Sequence, residues 1–327
     1  MESILKSILD GINSVLGNYG WSIIVFTLLI RLVTMPFDFK SRVGMRQQQK
    51  IAPLVSEIQK KYAKDQEKMN KKLSELYRKE KINPLSSCLP LLFSMAILWI
   101  MFAAMRSVAN ENLARQAFEI LQGNTPTMQG WLWVRNLWMP DSPFASSWPG
   151  LATLQAVPGD IWQKELAMLG DSVSKLPLAL TADSFSSANL HATIQSIVTA
   201  MQAIPAYTEA TSIVPGMHFN LWITTVDIIR QYNGFFILPI LASVTQLLMT
   251  AVQPVTPTTG NEAQQSTGKM MKWFFPLFSL FICSNYNAVF AIYWVASNII
   301  AAAQNYLINW YLDRKEKMQQ TSEVTVK

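Results

Sequence analysis

The sequence predicts an all-α polytopic membrane protein with five transmembrane helices and a cytoplasmic helical hairpin. Three observations predict it. Residues 21–39 form an apolar stretch of 19 residues, which at about 1.5 Å per residue matches the hydrocarbon thickness of a bilayer. Residues 273–312 run for 40 positions without a charge, too many for one ordinary span. Charge is also segregated: residues 40–81 hold 13 Lys or Arg against five acids, whereas residues 106–234 hold six against nine. The positive-inside rule makes the first segment cytoplasmic and the second external. A composition that is 50% hydrophobic and 15% charged fits a membrane protein with substantial polar parts.

Taken in order, residues 1–19 read as an amphipathic helix at the outer interface, or a plain packed helix, because Ile4, Leu5, Ile8, Leu9, Ile12, Val15 and Leu16 recur at helical spacing. This start lacks a basic region and a small-residue cleavage site before Trp21, so no removable signal peptide is expected. The first span, 20–39, carries Arg31 ten residues after Trp21, near the bilayer midplane. A central arginine costs about 2.5–3.5 kcal/mol on insertion scales, so such residues face a protein interior or water. Thr27, Arg31, Thr34 and Asp38 step by four, three and four onto one helix face. That stripe predicts a hydrated intramembrane cavity around Arg31; the competing reading is an arginine snorkelling to the headgroups.

Residues 40–83 read as an antiparallel helical hairpin. Val55, Ile58 and Tyr62 form one apolar stripe, Met69, Leu73 and Leu76 another, and the polar residues 63–66 turn the chain between them. Lys60, Lys61, Lys64, Lys71 and Lys72 make its surface basic, either as a solvated face or as a docking surface for RNA-bearing or acidic partners or anionic lipids. The second span, 84–106, opens with Pro84 and Pro90 in its first turns. Residues 107–233 form an external insertion in which 111–121 and 188–203 look helical, and in which Trp131, Trp133, Trp138 and Trp148 suggest loops at headgroup level. The third span, 234–252, leads to a cytoplasmic loop, 253–269, marked by Pro254, Pro257 and Gly260. The polar cluster 284–287 splits the long uncharged run into a short fourth span, 270–284, and a fifth, 288–312; a basic cytoplasmic tail, 313–327, follows. Cys88 and Cys283 fall near opposite faces, so no disulfide is expected.

These residues resemble the YidC/Oxa/Alb family of membrane protein insertases. The resemblance rests on Gly20-Trp21-Ser22-Ile23 through Arg31 to Pro36, on Asn83-Pro84 to Leu89-Pro90, on Ile237-Leu238-Pro239-Ile240-Leu241, and on Tyr293-Trp294-Val295-Ala296-Ser297-Asn298 with Gln304. It is to the Gram-positive bacterial type, and two features depart from the family pattern. Tyr286-Asn287 replaces an aromatic residue followed by proline, and the external insertion is longer than the core needs. The resemblance implies five helices around a hydrophilic groove open to the cytoplasm and the lipid, with Arg31 as the groove charge. Thr27, Thr34, Gln246 and Asn298 are then candidate lining residues, and Ile237, Leu241, Phe290 and Tyr293 candidate client-helix contacts on the third and fifth spans. The implied partners are nascent membrane proteins, with the Sec translocon and the ribosome as candidates beside anionic lipids, and no small-molecule substrate. The implied location is a bacterial plasma membrane, amino end outside and carboxyl end in the cytoplasm.

The expected activity is insertion of client helices through the groove, where Arg31 attracts acidic residues of the translocated segment in low dielectric. A transporter would show intramembrane carboxylates, and the four later spans contain none. An enzyme is not expected, since both histidines, His191 and His218, lie in the insertion, and no cofactor or metal pattern occurs. A scaffold recruiting partners through the basic hairpin would leave Arg31 dispensable.

Overall fold

The computed structural model describes residues 2–80, 82, 89–220, 225–252 and 262–325. Asn83-Pro84, Cys88, and Pro254, Pro257 and Gly260 lie outside the described residues. The chain is predominantly helical and divides into two units, Met1–Phe26 with Ile100–Leu241 and Leu280–Tyr293, and Thr27–Trp99 with Ala242–Ser279 and Trp294–Lys327.

Helix α1 (Glu2–Leu16) forms over the stretch expected to be helical. Leu9 is buried and Lys6 bridges Asp10 at 2.9 Å and Glu111 at 3.1 Å, while Ile4, Ile8, Val15 and Leu16 stay exposed. Helix α2 (Tyr19–Lys61) is one element of 43 residues. The boundary expected at residue 39 is therefore not a helix end: the stretch expected as the first span and the first expected arm of the hairpin lie on one helix. Neither Pro36 nor Pro53 ends the helix; each removes only one backbone bond. The chain turns at residues 62–65 into α3 (Gln66–Lys79), whose first turn is capped by Asp65 accepting from the Lys68 amide at 3.0 Å.

Helix α4 (Leu89–Leu121), 33 residues and about 50 Å long, likewise runs through the expected boundary at residue 106. Beyond that point it is a core helix: Val108, Ala109, Ala114, Ala117 and Phe118 are buried at helical spacing. Against it the insertion builds a core from α5 (Leu151–Gln155), α6 (Gly159–Met168), α7 (Leu190–Gln202) and α8 (Pro205–Thr211). Trp162 stacks on Phe185 with centroids 5.4 Å apart, and Phe118 meets both rings edge-on.

The chain is not all helix. Strands β1 (Ile213–Asn220) and β2 (Thr225–Ile229) pair antiparallel, with Ile213 opposite Ile229 and Phe219 opposite Val226. The register shifts between Ile213 and His218, where Pro215 lacks a ladder donor and Gly216 takes φ +79°. Helices α9 (Ile237–Val252), α10 (Glu262–Asn285) and α11 (Ala288–Thr325) complete the fold. Among the described residues, α2 and α11 are long and apolar enough to cross a membrane, and α9 is a shorter apolar helix. The expected tail from residue 313 continues α11 to Thr325.

In the first unit one loop fastens two helix starts. Asp141, fully buried, accepts from Trp133 Nε1 at 3.1 Å and from the amides of Phe235 at 2.9 Å, Phe236 at 3.3 Å and Leu238 at 2.6 Å. It thus satisfies the otherwise orphan N–H groups where α9 begins. A side chain at Gly234 would collide with that carboxylate. The carbonyls of Leu137 and Met139 accept from Val289 at 3.2 Å and Ala288 at 2.9 Å, holding the start of α11. Asn233 ties the loop together, donating to the carbonyls of Asn136, Met139 and Pro140 and accepting from the Asn136 amide at 2.7 Å.

Candidate functional site

In the second unit, the stripe on α2 meets α11. Arg31 Nη2 donates to Ser297 Oγ at 2.6 Å, and Gln304 Nε2 donates to Asp38 Oδ2 at 3.1 Å. About two and three turns further, Arg46 pairs with Asp313 at 2.6 Å, and Lys50 with Glu316 at 3.0 Å. The pairs at Arg31, Asp38 and Lys50 share a sequence separation of 266. A constant separation means that α2 and α11 run parallel and in register, so helical periodicity on each builds one continuous polar seam.

Helix α11 also faces α9. Asn298 Nδ2 donates to Gln246 Oε1 at 3.1 Å and to Thr245 Oγ1 at 3.3 Å, and Asn305 Nδ2 reaches Met249 Sδ at 3.5 Å. Ser297 and Gln304, seven residues apart, thus turn to α2, while their neighbours Asn298 and Asn305 turn to α9. The structure brings Arg31, Gln246 and Asn298 onto these three helices, with Thr27 and Thr34 buried on the Arg31 face.

Arg31 is the least satisfied member. A guanidinium has five N–H donors, yet among the described residues the half-buried Arg31 side chain bonds Ser297 alone, and no carboxylate forms an ion pair with it. Arg42, which continues the stripe four residues beyond Asp38, is only 5% exposed and its Nη1 has no partner. The 31, 34, 38 spacing extends to Arg42, so the sequence carries this signal beyond the expected end of the span. Ser297 was missed because a lone serine in an apolar helix carries no mark of its partner.

Two of the expected client contacts are placed differently. Phe290 and Tyr293 are 4% and 6% exposed, and Phe290 packs edge-on against Phe102 at 5.5 Å. Ile237 and Leu241 are half-buried. The exposed apolar residues include Ile240, Val244 and Leu248 on α9 and Ile299, Tyr306 and Trp310 on α11. The capped first turns of α11, which include Phe290, belong to its buried face.

On the hairpin, Lys60, Lys61, Lys64, Lys71 and Lys72 are all exposed, and α3 buries no residue. Lys72 pairs with Glu75 at 2.7 Å, which raises the lysine pKa and lowers that of the carboxyl. Asp65 is held below the usual carboxylate range, first by the Lys68 amide and then by the Lys68 side chain. Among the described residues no three His, Cys, Asp or Glu converge as a metal site requires.

With this geometry in place, the class is that of a multi-helix membrane protein with a charged seam. The profile of the family described as 60Kd inner membrane protein matches residues 11–208 and 194–316, and the chain belongs to that family. Relatives include the membrane protein insertase YidC of Caldanaerobacter subterraneus subsp. tengcongensis, 43% identical over 103 residues, covering 32% of this chain and 50% of that protein. The YidC insertase of Fusobacterium nucleatum is 37% identical over 107 residues, covering 33% and 52%. That of Chlorobaculum tepidum is 24% identical over 323 residues, covering 99% of this chain and 38% of the relative. The chain therefore spans about half the length, or less, of these curated relatives.

Proposed function

We propose that the chain is a membrane protein insertase that carries client helices into the bacterial plasma membrane, alone or beside the Sec translocon. In this reading five spans, 20–39, 84–106, 234–252, 270–284 and 288–312, cross with the amino end outside. The seam of α2, α9 and α11 lines a hydrated groove open to the cytoplasm. Moving a hydrophilic segment through hydrocarbon strips water from its polar groups at several kcal/mol each. A wet seam shortens that dry path. The observation that carries the reading is Arg31, half-buried within an apolar helix and spending one donor on a neutral hydroxyl. Its remaining donors suit an acidic side chain of the translocated segment. The client helix then leaves along the exposed rows of α9 and α11, and the basic hairpin recruits the ribosome or other acidic partners.

The test is photo-crosslinking from single probes at Arg31, Val244 and Tyr306 to a nascent single-span client of increasing length. Adducts moving from position 31 to positions 244 and 306 as the client lengthens support the path. A folded, membrane-embedded protein giving no adduct at any position sinks it and favours a scaffold.

A further inference from the structure

We propose that a cavity in the first unit binds the phosphodiester headgroup of an anionic phospholipid, a site independent of the Arg31 seam. The cavity, about 330 Å³, lies among α4, α5 and the turn between α10 and α11. That volume is near the lower end of ordinary ligand sites and far larger than a single ordered water needs.

Its chemistry is that of an anion receptor with apolar walls. Phe102, Tyr286 and Phe290 form a ring cluster with centroids 5.1–5.5 Å apart. The cation is Arg106, exposed, whose one contact is a weak bond to the Ala156 carbonyl at 3.4 Å. Among the described residues it has no ion-pair partner. Asn110, one turn along the same helix, lines the cavity and is 8% exposed, and no hydrogen bond engages its amide among the described residues. Trp138, 1% exposed, also lines it, and its indole N–H is buried without a partner among the described residues. Buried tryptophan N–H groups usually find an acceptor, so this orphan donor asks for one. Asn287 caps α11 through its oxygen, accepting from Phe290 at 3.1 Å, which leaves its NH₂ unengaged among the described residues.

Among the described residues no carboxylate lines the cavity. The nearby acid, Glu111, is already held by Lys6 at 3.1 Å and Lys164 at 2.6 Å. Four donor groups, one of them charged, with no competing acceptor charge therefore select an anion rich in oxygen. The aromatic walls, and Phe281 left 65% exposed one turn before Asn285 at the rim, favour an acyl-bearing source over free phosphate. An acidic protein side chain would leave that apolar surface idle.

The experiment uses the full chain in phosphatidylcholine nanodiscs doped with phosphatidylglycerol, with retained lipid counted by native mass spectrometry. Arg106→Gln and Asn110→Leu are each expected to weaken retention of one phosphatidylglycerol about tenfold, with the thermal melt unchanged. The variant Lys175→Gln, exposed and outside the cavity, is expected to leave it intact. Millimolar glycerol 3-phosphate should not displace the lipid. Equal retention in Arg106→Gln and in the cavity-filling Ala152→Trp overturns the proposal. Displacement by glycerol 3-phosphate overturns the lipid source, and displacement by an acidic peptide assigns the site to a protein.

Discussion

Two buried or half-buried carboxylates in this chain live by opposite rules. Asp141, in the first unit, is fully buried and receives four N–H groups, all neutral. Asp38, in the second, is half-buried and receives the Gln304 carboxamide and the Thr34 hydroxyl, with the Arg31 and Arg42 charges nearby. The same contrast separates Asn233, which donates to three carbonyls, from Arg31, which spends one donor of five. A fully satisfied buried network fixes a single geometry. A partly satisfied one keeps bonding capacity for water or a ligand. The polar groups of Asp141 and Asn233 are thus spent on holding the starts of α9 and α11, and those of the Arg31 stripe are held in reserve.

The largest expected effect attacks the spent side. Asp141→Leu leaves three backbone amides and an indole N–H buried without an acceptor, each costing about 1–3 kcal/mol. A loss of more than about 3 kcal/mol is therefore expected, read as a steep fall in the thermal melt of the purified protein. An unchanged melt would show that the loop does not hold α9.

Gly234→Ala sharpens the same point with a single methyl group. The added carbon meets the Asp141 carboxylate, so one of the two must shift. Overpacking of this kind costs about 1–3 kcal/mol. The double variant Gly234→Ala with Asp141→Leu should lose less than the sum, because the second change removes the group the first collides with.

On the reserved side the sign on stability reverses. Arg31→Ala removes a charge that is costly in an apolar helix, so its melt is expected to stay level or rise. Insertion of clients with acidic translocated segments should fall about tenfold, which is about 1.4 kcal/mol of lost attraction. Arg31→Lys should keep much of the activity, since a positive charge suffices. A fall in stability with unchanged insertion would move Arg31 to the structural side of the comparison.

Legibility in the sequence follows the same division. The Thr27, Arg31, Thr34, Asp38 stripe was readable because helical spacing is local and needs no partner. Its pairing with Ser297 and Gln304 was not, since a register across 266 residues leaves no trace in either helix alone. Asp141 was hidden for the same reason: three of its four donors come 94–97 residues later. Charge marked where the chain is polar but not where helices stop. Arg106, Glu111 and Arg115 read as a departure from the membrane, yet α4 continues through them because Val108, Ala109, Ala114 and Phe118 keep a buried face. The strand pair was masked by Pro215 and Gly216, which read as breakers and prove to occupy the register shift.

The smallest effect tests a group on the open hairpin. Asp65 caps α3 and its carboxyl is held below the usual carboxylate range by the Lys68 amide, then by the Lys68 side chain. Because the folded value is depressed, the stabilisation is present above the ordinary carboxylate pKa of 3.8 and is lost as pH falls through the lower folded value. Amide exchange at residues 67–69 should therefore quicken in strongly acidic buffer and, at neutral pH, in Asp65→Ala, while Asp65→Asn keeps most of the protection as a good capping residue. Since α3 buries no side chain, fraying there should leave the rest of the fold untouched. A global change in exchange on Asp65→Ala would mean that the hairpin is packed into the second unit rather than standing as a separable arm.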